Sequence, residues 1–79
     1  MTATIGDRLR LKQQLPYLKT ADPMPMLRPS DLVSLDEVGE VVAIHPLDTV
    51  AVRFRRGTFL ISLDQLKAAS QDDADEVID

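Results

Sequence analysis

The stretch 49–61, TVAVRFRRGTFLI, decides the fold. Val50, Val52 and Phe54 alternate with Ala51, Arg53 and Arg55, and apolar residues resume at Phe59 and Ile61 beyond a glycine. Period-two alternation marks a strand with one face buried. Two such runs flanking a glycine read as an antiparallel hairpin. With Arg56 and Gly57 as a two-residue loop, Phe54 pairs with Phe59, Val52 with Ile61 and Val50 with Leu63. A one-residue slip would turn the arginines inward, so the neighbouring registers are disfavoured. In this register Leu60 lies outside, beside Arg53 and Arg55.

Working outward, the turn His45-Pro46-Leu47-Asp48 leads back to a strand at 38–44, VGEVVAI, rich in β-branched residues. Val41 and Ile44 are three apart and share a face only if a bulge intervenes. Residues 8–12, RLRLK, alternate again, with Leu9 and Leu11 facing in and Arg8, Arg10 and Lys12 facing out. After the hairpin, LDQLK at 63–67 predicts one helical turn that plugs the sheet through Leu63 and Leu66. Prolines at 16, 23, 25, 29 and 46 interrupt the windows in which a helix could run. The pattern predicts an all-β fold, a small SH3-like barrel of about five antiparallel strands.

A long proline-rich loop separates the first two of these strands, between Lys12 and Asp36. Loops of that length are functional or disordered. Leu15, Tyr17, Leu18, Met24, Met26, Leu27, Leu32 and Val33 give it more apolar surface than a disordered linker carries, so an ordered loop is expected. Four of the five prolines fall between 16 and 29, and each fixes its own φ and extends the residue before it. The loop is therefore stiff before it binds anything. Met24 and Met26 adapt to uneven surfaces. Each loop side chain has two readings, a contact with a partner or a lid folded back over the barrel. Lys19, Asp22 and Arg28 are exposed on the lid reading.

A chain of 79 residues makes one domain, 1–69, with a thin core: about 60% of the extended surface is buried at this size. Without cysteine it has neither a disulfide nor a thiolate metal site. The net charge of −4 is local, because Asp72, Asp73, Asp75, Glu76 and Asp79 stand together with no base. Taking those five from the thirteen acids leaves eight against nine bases. Residues 70–79 therefore read as a disordered acidic tail. The tail lacks the glycine and terminal glutamate of a calcium loop. The bases gather on two segments, and Arg8, Arg10, Arg53 and Arg55 with Leu60 form either a face for an acidic protein patch or a plain solvated face. The tail competes for that face. Single-stranded RNA needs exposed aromatic platforms, and the register buries both phenylalanines, so nucleic acid is disfavoured. His45 has no partner at any telling spacing, and Gly6, Gly39 and Gly57 make no phosphate loop. A non-catalytic, monomeric protein without cofactor or metal is expected, and a cytoplasmic one because the N-terminal run MTATIGDRLRL lacks an apolar targeting core.

Three runs, YLKTADPMPMLRP at 17–29, EVGEVV at 37–42 and VAVRFRRGTFL at 50–60, resemble the cyanobacterial SipA family over about residues 6–66. The resemblance implies an SH3-like barrel that binds the ATP-binding domain of the sensor histidine kinase NblS in high-light and nutrient-stress signalling. It also implies kinship with plastid proteins linked to assembly of the NAD(P)H dehydrogenase complex. It assigns no contact residue. Surface chemistry nominates Lys19, Asp22, Met24, Met26, Leu27 and Arg28 on the loop, and Arg8, Arg10, Arg53, Arg55 and Leu60 on the basic face.

Overall fold

In the computed structural model, which describes residues 3–69, the chain forms seven strands: β1 Arg8–Leu11, β2 Leu18–Thr20, β3 Leu27–Arg28, β4 Gly39–His45, β5 Thr49–Phe54, β6 Gly57–Ser62 and β7 Leu66–Ala68. All pair antiparallel in one sheet of order β3-β2-β6-β5-β4-β1-β7. The all-β class is as expected, with seven strands where about five were expected. The acidic segment 70–79, expected to be disordered, lies outside the described residues.

Among the described residues no α-helix covers the sheet, so the apolar face has only itself to pack against. The sheet accordingly curls. Leu18 from β2 and Leu66 from β7, near opposite ends of the strand order, belong to one cluster with Leu9, Leu11, Val41, Val50, Val52, Phe54, Phe59 and Ile61. Each large apolar side chain so buried contributes about 1.5–3 kcal/mol.

The faces of the β5–β6 hairpin follow the alternation, but its pairs do not. Phe54 lies opposite Gly57, Val52 opposite Phe59 and Val50 opposite Ile61. The turn residues are Arg55 and Arg56, not Arg56 and Gly57. The register is thus displaced by two from the expected one, and a shift of two leaves every side chain on its own face. Apolar matching excludes a slip of one and is blind to a slip of two. Backbone chemistry decides between them: Gly57 has φ +149°, while neither arginine has positive φ. The glycine closes the turn from the first position of β6. Phe54 and Phe59 still meet as diagonal neighbours, their ring centres 6.5 Å apart and tilted by 34°.

A bulge between Val41 and Ala43 lets Val41 oppose Val52 and Ile44 oppose Val50, so the two share a side by register, with Val41 buried and Ile44, near the strand end, 52% exposed. At the start of β4, Gly39 is buried against the hairpin. A Cβ there would sit 2.5 Å from Val52 Cγ1 and 2.7 Å from Phe54 Cε1, so this approach needs a hydrogen.

The expected long loop is not structureless. It contains β2, β3 and a 3₁₀ turn at Ser30–Leu32. Strands of two and three residues are too short to display a period, which is why the sequence hides them. Leu18 and Val33 enter the core, and Leu15 and Leu32 pack at its margin. Between β2 and β3 the chain leaves the sheet for the excursion 21–26. Thr20 pins both ends: its N–H donates to the Met26 carbonyl at 2.9 Å and its Oγ1 accepts the Met26 N–H at 2.8 Å. Antiparallel alternation then points the backbone at 25, 27 and 29 away from β2, and two of those three residues are proline.

The expected helical turn at 63–67 is half correct. Leu63–Gln65 is a 3₁₀ turn, and Leu63 and Leu66 are buried, but Leu66 opens β7 and pairs with Leu11. The ladder to β1 claims the chain, beginning with the Lys12 N–H donated to the Gln65 carbonyl at 2.8 Å. Among the described residues no helix is long and apolar enough to cross a membrane.

Candidate functional site

The β2–β3 end of the sheet gathers four of the nine exposed large apolar residues among the described residues. Met24, Met26, Leu27 and Tyr17 are exposed, Met24 by 83%. The lid reading is thereby set aside for these residues, while Leu15, Leu18, Leu32 and Val33 take the inward part. The division follows from the pinned excursion. With Thr20 and Met26 bonded to each other, 21–25 projects beyond the sheet, and the Ala21 N–H anchors its root to the Thr58 carbonyl at 3.0 Å. Among the described residues no peptide bond is cis, so both prolines inside the excursion stand in trans.

Two shallow grooves flank this end. One, of about 380 Å³, is lined by Thr20, Asp22, Met26, Arg28 and Arg56, with Phe59 at its floor. The other, of about 350 Å³, runs between Tyr17, Lys19 and Leu60. Lys19 opposes Leu27 on one side and Leu60 on the other, so a cation stands between two apolar side chains. A partly charged apolar surface beside open grooves suits a protein partner. The loop candidates Lys19, Asp22, Met24, Met26, Leu27 and Arg28 are therefore brought together.

The basic candidates are brought together only in part: Arg8, Arg53 and Arg55 line one open groove beside Glu40. Leu60 is half-buried and lies opposite Ala51, with Arg53 as a diagonal neighbour and Arg55 farther off in the turn, because the hairpin register is displaced by two. Arg53 donates to Glu40 Oε1 at 2.8 Å, a cross-strand pair set up by the β4–β5 register. The Arg55 backbone N–H donates to Glu37 at 2.6 Å, while its side chain stands exposed in the turn. Arg8 and Arg10 sit on β1 with Lys12, Arg10 half-buried and the other two exposed. Arg8, Arg53 and Arg55 thus stay around one groove, with Glu40 opposite both Arg8 and Arg53 and bonded to the latter.

Sequence reasoning missed several exposed residues. Tyr17 and Arg56 line the grooves of the β2–β3 end, and Arg56 was assigned to a turn without a role. Leu47 is 93% exposed at the tip of the β4–β5 turn with φ +62°, and Asp48 follows at φ +55°. An ordinary Pro-Leu-Asp sequence carries no sign of that left-handed pair. Among the described residues no group of three His, Cys, Asp or Glu is placed to hold a metal ion.

These geometries can be set against known proteins. No solved structure matches significantly. The chain is 36% identical over 72 residues to Protein CHLORORESPIRATORY REDUCTION 42, chloroplastic, of Arabidopsis thaliana, a match that takes in 90% of this chain and 60% of that protein. The profile of the Protein CHLORORESPIRATORY REDUCTION 42-like family matches residues 5–66, from the approach to β1 through the pinned excursion to the first residue of β7. On that extent, the chain belongs to the CHLORORESPIRATORY REDUCTION 42-like family.

Proposed function

We propose that this protein is a non-catalytic interaction module that serves as an assembly factor for an NAD(P)H dehydrogenase complex, docking through the β2–β3 end of its sheet. The observation that carries the reading is the family match over 5–66 with a chloroplast relative named for chlororespiratory reduction. It agrees with the plastid kinship implied by the YLKTADPMPMLRP run. Because the chain spans 60% of that relative, the shared activity is assigned to what the two have in common, the sheet and its excursion. The loop is suited to docking for a physical reason. Its prolines and the Thr20 clamp hold Met24, Met26 and Leu27 out before any partner arrives, so little ordering entropy is lost on binding.

The test removes the gene in the native host and measures the assembled dehydrogenase by native electrophoresis and activity stain. The assembled complex is expected to fall, to return with the wild-type chain, and to stay low with Met24→Asp/Met26→Asp. A normal level of complex in the deletion strain overturns the reading. Capture of a histidine kinase ATP-binding domain, in place of dehydrogenase subunits, would shift the assignment to the kinase partner implied by the SipA resemblance.

A further inference from the structure

The groove of about 390 Å³ bounded by β1, β4 and the β5–β6 turn has no part in the proposed docking end, with whose two grooves it shares no lining residue. Strand register builds it. Glu40 lies opposite Arg8 on one side and Arg53 on the other, so one carboxylate stands between two guanidinium groups in a row across three strands. It serves only one of them: Arg53 Nη2 donates to Glu40 Oε1 at 2.8 Å. Arg55 enters from the turn, where Glu37 accepts its backbone N–H at 2.6 Å. Among the described residues the Arg8 and Arg55 guanidinium groups have no acceptor, and both line the groove. Two planar forks of this kind, beside a pair that is already satisfied, suit a carboxylate or a phosphate.

The charge balance chooses between the two. Three arginines, with Glu40 among them and Glu37 bonded to the Arg55 backbone, leave a net charge of +1. A nucleic-acid strand brings a phosphate at every nucleotide and would press against both glutamates. It would also want an aromatic ring to stack on, and Phe54, the one ring in the groove, is 5% exposed. One or two carboxylates match the charge, and half-buried Val38 offers an apolar side chain a place beside them. We propose that this groove binds a short acidic segment of a partner protein, with a carboxylate held by Arg8 and Arg55 and an apolar neighbour against Val38. Glu40 is then a built-in competitor. It withholds Arg53 from the ligand and repels segments with long runs of acid, which trades affinity for selectivity.

The test titrates the isotope-labelled full chain with a capped peptide of sequence SLEDLS, and with its neutral counterpart SLQNLS, while amide shifts are read in about 0.02 M salt, where exposed charges are weakly screened. Saturable shifts at Arg8, Gly39, Glu40 and Arg55 are expected with the acidic peptide and none with the neutral one. Arg8→Gln/Arg55→Gln should weaken the acidic peptide by about fivefold or more, since both charge-assisted contacts go. Glu40→Gln keeps the shape, frees Arg53 and should tighten the same peptide by about threefold, within what an exposed ion pair can withhold. A merely structural Glu40 predicts the opposite sign, because loss of the Arg53 pair would loosen the groove. The proposal is overturned by the absence of saturable shifts, by an equal response to SLQNLS, or by weaker binding to a Glu40→Gln chain whose spectrum remains dispersed. Tighter binding of a ten-nucleotide oligothymidylate at the same amides would overturn it too, in favour of nucleic acid. None of these outcomes bears on dehydrogenase assembly through the β2–β3 end.

Discussion

The β5–β6 hairpin and the segment 21–28, the excursion together with β3, treat their apolar residues in opposite ways. In the hairpin, the six-residue strands alternate except at the small, buried Ala51, and Val50, Val52, Phe54, Phe59 and Ile61 all disappear into the core. In the excursion, Met24, Met26 and Leu27 are just as apolar and stay in water. Composition does not separate the two. Repetition separates them: a strand long enough to alternate commits one face to the core, whereas a two-residue strand pinned by one threonine leaves its side chains wherever the turn points them.

The contrast is most easily broken at the core. Phe59→Ala should cost about 3–5 kcal/mol, most of the stability of so small a domain, and urea denaturation should find the variant largely unfolded. Gly39→Ala comes next. The added methyl meets Val52 and Phe54 at under 3 Å, so a loss of about 1–3 kcal/mol is expected from overpacking, measured as a lower denaturation midpoint with an unchanged slope. A smaller loss tests the clamp. Thr20→Val removes the acceptor for the Met26 N–H while keeping the shape, and about 0.5–1.5 kcal/mol should go, with faster hydrogen exchange confined to 20–27. Smallest of all should be Met24→Asp/Met26→Asp, within about 0.5 kcal/mol of wild type. A loss of several kcal/mol there would restore the lid reading and erase the division between the two regions.

The same contrast explains what the sequence discloses. Inward and outward faces of β1, β5 and β6 were legible because parity needs only alternation, whereas the β4 bulge stood only as the condition on which Val41 and Ile44 share a side. The hairpin register was not, since shifting Val52 from Ile61 to Phe59 exchanges one apolar partner for another. β2, β3 and β7 were invisible for lack of length, and β7 exists only because β1 offers it a ladder. At the docking end, the sequence named Met24, Met26, Leu27 and Arg28, yet which way they face depends on the Thr20–Met26 bonds. Arg53 shows the converse. Its neutralisation by Glu40 is a product of the β4–β5 register, so a residue that looked like part of a basic face belongs to a surface ion pair of at most about 1 kcal/mol.

The placement of proline on β3 bears on how such an exposed segment stays in solution. An uncovered sheet edge is a template on which further chains add, and an oily edge is the worst kind. Pro25 and Pro29 remove two of the three outward donors from this one, leaving Leu27 alone between them. A second copy arriving edge-on finds one hydrogen bond where growth requires a row. The excursion can therefore stay greasy enough to recognise a partner without seeding aggregation, because recognition uses its side chains and polymerisation would need the backbone that proline has withdrawn.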